Sequence, residues 1–169
     1  MKTQLMEAER VVDLVPQILH LKKILVPIDF SETSKKAFQY ASRFAEQFNC
    51  EIVLLHIVEP VSPTVGAPLA LEVFSDAEDE LAIAERNLAV LAAQSHTNGA
   101  NSVSSAIRTG HAPNEITKAA KDLDVDLIVI ATHGNTSSRY LCIGSTAERV
   151  VRSAPCPVLV VREKEHEFV

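Results

Sequence analysis

The sequence predicts an α/β domain, a doubly wound, mainly parallel, five-stranded open sheet. Two observations carry this. Short apolar runs of strand length alternate with longer segments whose apolar residues recur at spacings of three and four. One run, Glu51 to Val58, is apolar on both alternations, as expected of a strand covered on both faces. Strands separated by helices need crossover connections, which make parallel neighbours. The right-handed crossover preference then favours a doubly wound sheet.

Taken in order, Lys23 to Ile28 is the first strand, ending in Asp29. Ser31 and Thr33 offer caps for a helix whose buried face is expected at Ala37, Ala41, Phe44 and Phe48. Glu51 to Val58 is the second strand. Glu59 to Ser75 holds Pro60, Pro63, Gly66 and Pro68 and reads as a loop. Asp76 to Gln94 is a long helix with Leu81, Ala84, Leu88 and Leu91 inward, closed at Asn98-Gly99. Asn101 to Thr109 is a third strand, and Gly110-His-Ala-Pro113 leads into a short helix with proline in its first turn. Asp126 to Ala131, Gly144 to Arg152 and Pro157 to Val161 complete the set as strand, helix and strand. The expected organisation is an extension over 1–21, one domain over 22–163 and a tail over 164–169. Val11, Val12, Leu14, Val15, Ile18 and Leu19 give the extension an apolar face, interrupted by Pro16.

Composition narrows the function. The chain has 169 residues, 47% hydrophobic and 22% charged, which suits one domain with a proper core. Its net charge of -6 and its scattered basic residues argue against a nucleic-acid partner, which requires clustered Lys and Arg. Cys50, Cys142 and Cys156 match no zinc spacing, and their odd number argues against a disulfide framework. Reduced thiols in the cytoplasm are the expectation. Met1 to Arg10 contains no apolar run of a signal peptide, and no window approaches a membrane span.

In open α/β sheets ligands collect beyond the carboxyl ends of strands, where the strand order switches. Asp29 stands at one such end. Its carboxylate would accept from an adenine amino group or a ribose hydroxyl, or else brace the following helix. The fourth strand runs into Ala131-Thr-His-Gly134, and nine residues after Gly134 comes Gly144-Ser145-Thr146 at a helix start. Glycine permits close approach of phosphate, and a helix N-terminus offers unpaired N–H groups. Ser145 and Glu148 also stand at capping-box spacing, which would satisfy the helix start without a ligand. Neither a Walker A sequence nor G-x-G-x-x-G occurs.

Other residues invite weaker readings. His56 and His133 lie at strand ends near Asp29, where hydrogen-bonded structural histidines are favoured over metal ligands. His111 lies in a loop with a remote claim on phosphates. Cys142 has no Cys–His–Asp arrangement legible around it. Asp122, Asp124 and Asp126 suit a solvated turn better than a cation loop.

From about Lys22 to Arg162 the chain resembles the universal stress proteins. The resemblance rests on Lys23-Ile-Leu-Val-Pro-Ile-Asp-Phe-Ser31, on Leu55-His-Ile-Val58, on Gly110-His-Ala-Pro113 and on Ala154-Pro-Cys-Pro-Val-Leu-Val-Val-Arg162. It implies a Rossmann-like, adenine-nucleotide-binding fold. ATP-binding members carry G-x2-G-x9-G-[ST] after the fourth strand. Gly134, Gly144 and Ser145 match its later part, and Ala131 stands where its first glycine would be. The resemblance further implies that Asp29 and Ile57 line the adenine and ribose, with Pro27 and Ile28 as floor and Ile130 and Ala131 as the other wall. Gly134, Gly144, Ser145 and Thr146 would contact ribose and phosphates, with Arg139 as the nearby cation. It implies ATP, ADP or AMP as cofactor, with or without Mg²⁺, a role in stress regulation, and a homodimer through the last strand. No general base or arginine finger is evident, so efficient hydrolysis is not expected. Two other classes remain open: a dimeric interaction module without nucleotide, favoured by Ala131, and an adenylyl-transferring ligase, disfavoured by size and the missing pyrophosphate loop.

Overall fold

Alternation along the strands divides the core into two layers. Ile24 and Val26 of the first strand, with Ile28 just after it, share one buried cluster with Ile52, Leu54 and Val129. Leu25 points the other way and shares a second cluster with Val53, Leu55, Ile128 and Ile130. Successive side chains of a strand face opposite sides, so both faces of this sheet are covered and the strands read as continuous apolar runs. The computed structural model describes residues 20–60, 72–95, 102–132 and 143–163, with the second helix's side chains described over 79–93.

The elements follow the order β1 (Lys23–Pro27), α1 (Glu32–Phe48), β2 (Glu51–Val58), α2 (Glu72–Ser95), β3 (Ser102–Thr109), α3 (Ala112–Asp122), β4 (Leu127–Ala131), α4 (Ser145–Ser153) and β5 (Val158–Val161). The sheet order is β3-β2-β1-β4-β5, and every neighbouring pair is parallel. The predicted fold class is therefore the observed one. Helix α1 supplies Ala37, Phe38, Ala41 and Ala45 to one layer, joined by Leu88 and Leu91 of α2. Helices α3 and α4 supply Ile116, Ala119, Ala120, Ala147 and Val150 to the other. The chain winds from β1 out to β3, returns to β1's far side with β4, and continues to β5. The switch in strand order lies between β1 and β4.

Three expectations need correction. Helix α2 begins at Glu72, ahead of the start read at Asp76, and residues 61–71 of the proline-rich stretch lie outside the described residues. Leu81 is 41% exposed, whereas Ala84, Leu88 and Leu91 are buried; it stands at the margin of the inward stripe. Phe44 and Phe48 are only half-buried and stack on each other at 6.1 Å, while Phe38 and Ala45 take the central positions on α1. The expected turn at Asn98-Gly99, the tail over 164–169 and the extension up to residue 19 lie outside the described residues.

The amino ends of the strands are tied by Asp126, whose Oδ2 accepts from the backbone N–H of Lys22 (2.7 Å) and Lys23 (2.9 Å). Near it, burial pushes the Cys50 and Cys156 thiols above their ordinary range, and the negative charge of Asp126 pushes in the same direction. A raised pKa keeps the thiol protonated, and the thiolate is the nucleophile. Alkylation of the native protein with iodoacetamide at pH 7.5, followed by peptide mapping, should leave Cys50 and Cys156 largely unmodified. Labelling of either at the rate of a small free thiol would contradict the packing described.

Candidate functional site

The carboxyl end of β1 is where the sheet opens. Strand β1 pairs with β2 through Pro27, but with β4 only at Ile24 and Leu25. The alternation of backbone groups explains the difference. Lys22 O accepts from Glu51 N and Ile28 N donates to Leu55 O, so even-numbered residues of β1 turn their polar groups towards β2. Lys23 O accepts from Asp126 N, so odd-numbered residues face β4. Pro27 is odd and has no N–H. The missing donor falls on the β4 side, where the ladder stops and the strands part.

The parting leaves a cleft of about 190 Å³. Whole small-molecule pockets usually span about 300–1,000 Å³, so the cleft between the described walls is smaller than a whole pocket. Pro27, Ile28, Ile57, Ile130 and Ala131 line it, together with Leu55 and Ile116. Asp29 reaches it from the end of β1, and Gly144, Ser145, Thr146 and Ala147 from the start of α4. Thus nine of the residues singled out by sequence stand around one opening. Gly134 and Arg139 lie outside the described residues, as do His133 and Cys142.

Asp29 does two things at once. Its Oδ1 accepts from the Ser31 backbone N–H at 3.1 Å and from the Ser31 hydroxyl at 2.5 Å. Ser31 is in turn the N-cap of α1, its Oγ accepting from Ser34 N at 3.1 Å. Asp29 therefore braces a helix cap and also faces the cleft. Among the described lining residues it is the one charged side chain.

The start of α4 differs from the capping-box expectation. Gly144 is the N-cap, with extended φ and ψ of -60° and 152°, so Ser145 is already the first helical residue. A residue with helical backbone cannot play the half-in role of a cap. Glu148 instead pairs with Arg152 at 2.6 Å. Gly144 N donates to Thr132 O at 2.8 Å, which fastens α4 to the end of β4. The first intrahelical donor to return to this turn is Glu148 N, to Gly144 O. The amides of Ser145, Thr146 and Ala147 belong to the unpaired first turn and stand on the cleft, where a helix favours an anion.

Ala131 is part of β4, and the positive-φ non-glycine residues among those described are Phe30, Asn49 and Asp124. Alanine at 131 thus carries no left-handed strain; its one effect on the cleft is a methyl group. Sequence reasoning missed Ser34, Leu55, Ala112, Ile116, Thr132 and Ala147 as lining residues. The signal of the apolar ones was weak, since an apolar residue pointing into a core and one pointing into a cleft read alike. His56 donates from Nδ1 to Ile28 O at 2.7 Å, and the His111 ring accepts from Arg149 at 3.2 Å. Among the described residues no three His, Cys, Asp or Glu side chains could hold a metal ion. No described helix is long and apolar enough to cross a membrane.

Comparison with known proteins agrees with this architecture. A sequence model of the Universal stress protein family matches residues 20–162. Universal stress protein MJ0531 of Methanocaldococcus jannaschii is 34% identical over 153 residues, covering 86% of this chain and 85% of its own. The structure of universal stress protein UspA from Lactobacillus plantarum superposes with a TM-score of 0.78 at 28% identity, covering 85% of this chain and 99% of that one. A universal stress protein from Archaeoglobus fulgidus, solved in complex with dAMP, shares the fold with a TM-score of 0.59 at 19% identity, covering 85% and 99%.

The double duty of Asp29 gives a direct expectation. Ser31→Ala removes the cap and the hydroxyl that holds Asp29, and should lower unfolding free energy by about 0.5–2 kcal/mol. Urea denaturation measures this. A change within error would mean that the cap contributes nothing to α1.

Proposed function

We propose that this chain, which belongs to the universal stress protein family, binds an adenine nucleotide in the crevice between β1 and β4 and acts as a nucleotide-responsive regulator. The observation that carries the reading is the convergence, at one opening, of apolar walls, one carboxylate and three unpaired helix amides. Apolar walls suit a flat base. A carboxylate suits base or sugar hydrogen-bond donors. Helix amides suit a phosphate.

In this reading Pro27, Ile28, Ile57, Ile130 and Ala131 hold the adenine. Asp29 accepts from the base or ribose. Gly144, Ser145 and Thr146 contact the phosphate, with Gly134 completing that end by its place in the family motif and Arg139, in the motif's spacer, as the nearby cation. The dAMP complex of the Archaeoglobus fulgidus protein supports the ligand class through the shared fold. Mg²⁺ would accompany a triphosphate, because the protein itself is acidic with a net charge of -6. The half-buried thiol of Cys156 and the buried thiol of Cys50, both unpaired, suit a reducing cytoplasm.

Self-association belongs to the same reading. β5 is an edge strand, and Val158, Leu159 and Val160 are only half-buried there. An apolar edge is an open template for pairing, which a second copy would cover. Sedimentation of the purified chain at micromolar concentration should give the mass of a dimer. A monomer at all concentrations would remove this part of the proposal.

Isothermal titration with AMP, and with ATP with and without Mg²⁺, tests the ligand after co-purified nucleotide has been removed. About one nucleotide per chain is expected. Gly144→Val should abolish binding while the fold persists, since its φ and ψ are open to any residue. Asp29→Ala should weaken binding without removing it. A Gly144→Val variant that binds like the parent would show the assignment of the phosphate end to be wrong. Absence of binding to the parent would favour the dimeric interaction module instead.

A further inference from the structure

The residue that follows β1 is held from β2 at both of its polar groups. Ile28 N donates to Leu55 O at 2.8 Å. Ile28 O lies 2.7 Å from His56 Nδ1. A carbonyl only accepts, so Nδ1 carries the hydrogen, in either the neutral tautomer or the cation. The same imidazole meets the ring of Phe30, with centroids 4.7 Å apart and planes tilted by 39°. Phe30 has φ of 63°, a left-handed conformation that a bulky residue adopts only when its surroundings impose it.

Asp29 is the residue between these two anchored neighbours. We infer that His56 is the positioning residue of the cleft carboxylate: its Nδ1–H fixes the peptide before Asp29, and its ring holds the residue after it. The strained turn at Phe30 then aims the Asp29 side chain back onto Ser31 and into the cleft. His56 touches neither the reacting surface of a ligand nor a metal in this account. It acts through Asp29. The consequence for nucleotide affinity rests on the function proposed above; the consequence for Asp29 does not.

Two arms test it separately. In ligand-free protein, the Ser31 amide reports on Asp29 because it donates to Oδ1. His56→Ala should speed hydrogen exchange of Ser31 by about tenfold, the equivalent of one net hydrogen bond. Exchange at Asp126, whose amide bonds Lys23 O at the opposite end of the sheet, and at Val125 beside it, whose amide bonds Ala120 O, should not change. His56→Asn places an amide donor where Nδ1 was and should restore most of the protection. Unchanged exchange at Ser31, or a uniform acceleration that includes Val125 and Asp126, would overturn the inference. The second arm is a double-mutant cycle on AMP affinity. Asp29→Ala with His56→Ala should bind no more weakly than Asp29→Ala alone. Additive losses would overturn the positioning role. If the parent binds no adenine nucleotide, the functional reading fails, and the exchange arm alone decides the role of His56.

Discussion

β1 and β4 are hydrogen-bonded at Ile24 and Leu25 and then separate, and most of the site's character depends on that separation. A parallel sheet normally holds its strands about 4.8 Å apart along their whole length. Here the chain has wound outward on both sides of the same gap, so no crossover helix bridges its carboxyl end. The imino acid at Pro27 removes a donor on the β4 side at the same place. A topological feature and a single residue thus act on one gap, which opens without disturbing the ladders on either side. β1 remains paired with β2 through Pro27, and β4 with β5 through Ala131.

The electrostatics of the cleft follow from what lines it. Its described walls are apolar apart from Asp29, Ser and Thr hydroxyls and backbone groups. Among the described walls a local positive field therefore comes from peptide dipoles, and α4 points its unpaired first turn at the opening. The bond from Gly144 N to Thr132 O sets where that turn stands relative to β4. Asp29 is likewise restrained, since Ser31 donates to it and passes the constraint on to α1 through its cap. Each helix start is hydrogen-bonded to its own strand end, so a ligand would meet groups already oriented.

Much of this was legible in the residues. Continuous apolar strands at Lys23 to Ile28 and Glu51 to Val58 signalled a sheet covered on both faces, because both parities had to be buried. Gly144-Ser145-Thr146 signalled a helix start, and strand-end position singled out Asp29. What sequence could not supply was direction. Whether the missing N–H of Pro27 faces β2 or β4 depends on register, and whether Ser145 is a cap or the first helical residue depends on one φ/ψ pair. Leu81 fits the inward spacing of α2 yet stands 41% exposed, since spacing does not define how wide the buried stripe is. His56 was recognisable only as a structural histidine; its partners, Ile28 O and Phe30, are distant or strained in ways that no local pattern encodes.

The most direct measurement of the central claim is a backbone NMR titration of the isotopically labelled protein with AMP. The account predicts saturable shifts at Ile28, Asp29, Ile57, Ala131 and Ser145 to Ala147, with Lys23, Asp126 and Cys156 at the opposite end of the strands unmoved. Saturable shifts centred on the amino ends of the strands, or none at millimolar AMP in nucleotide-free protein, would contradict it.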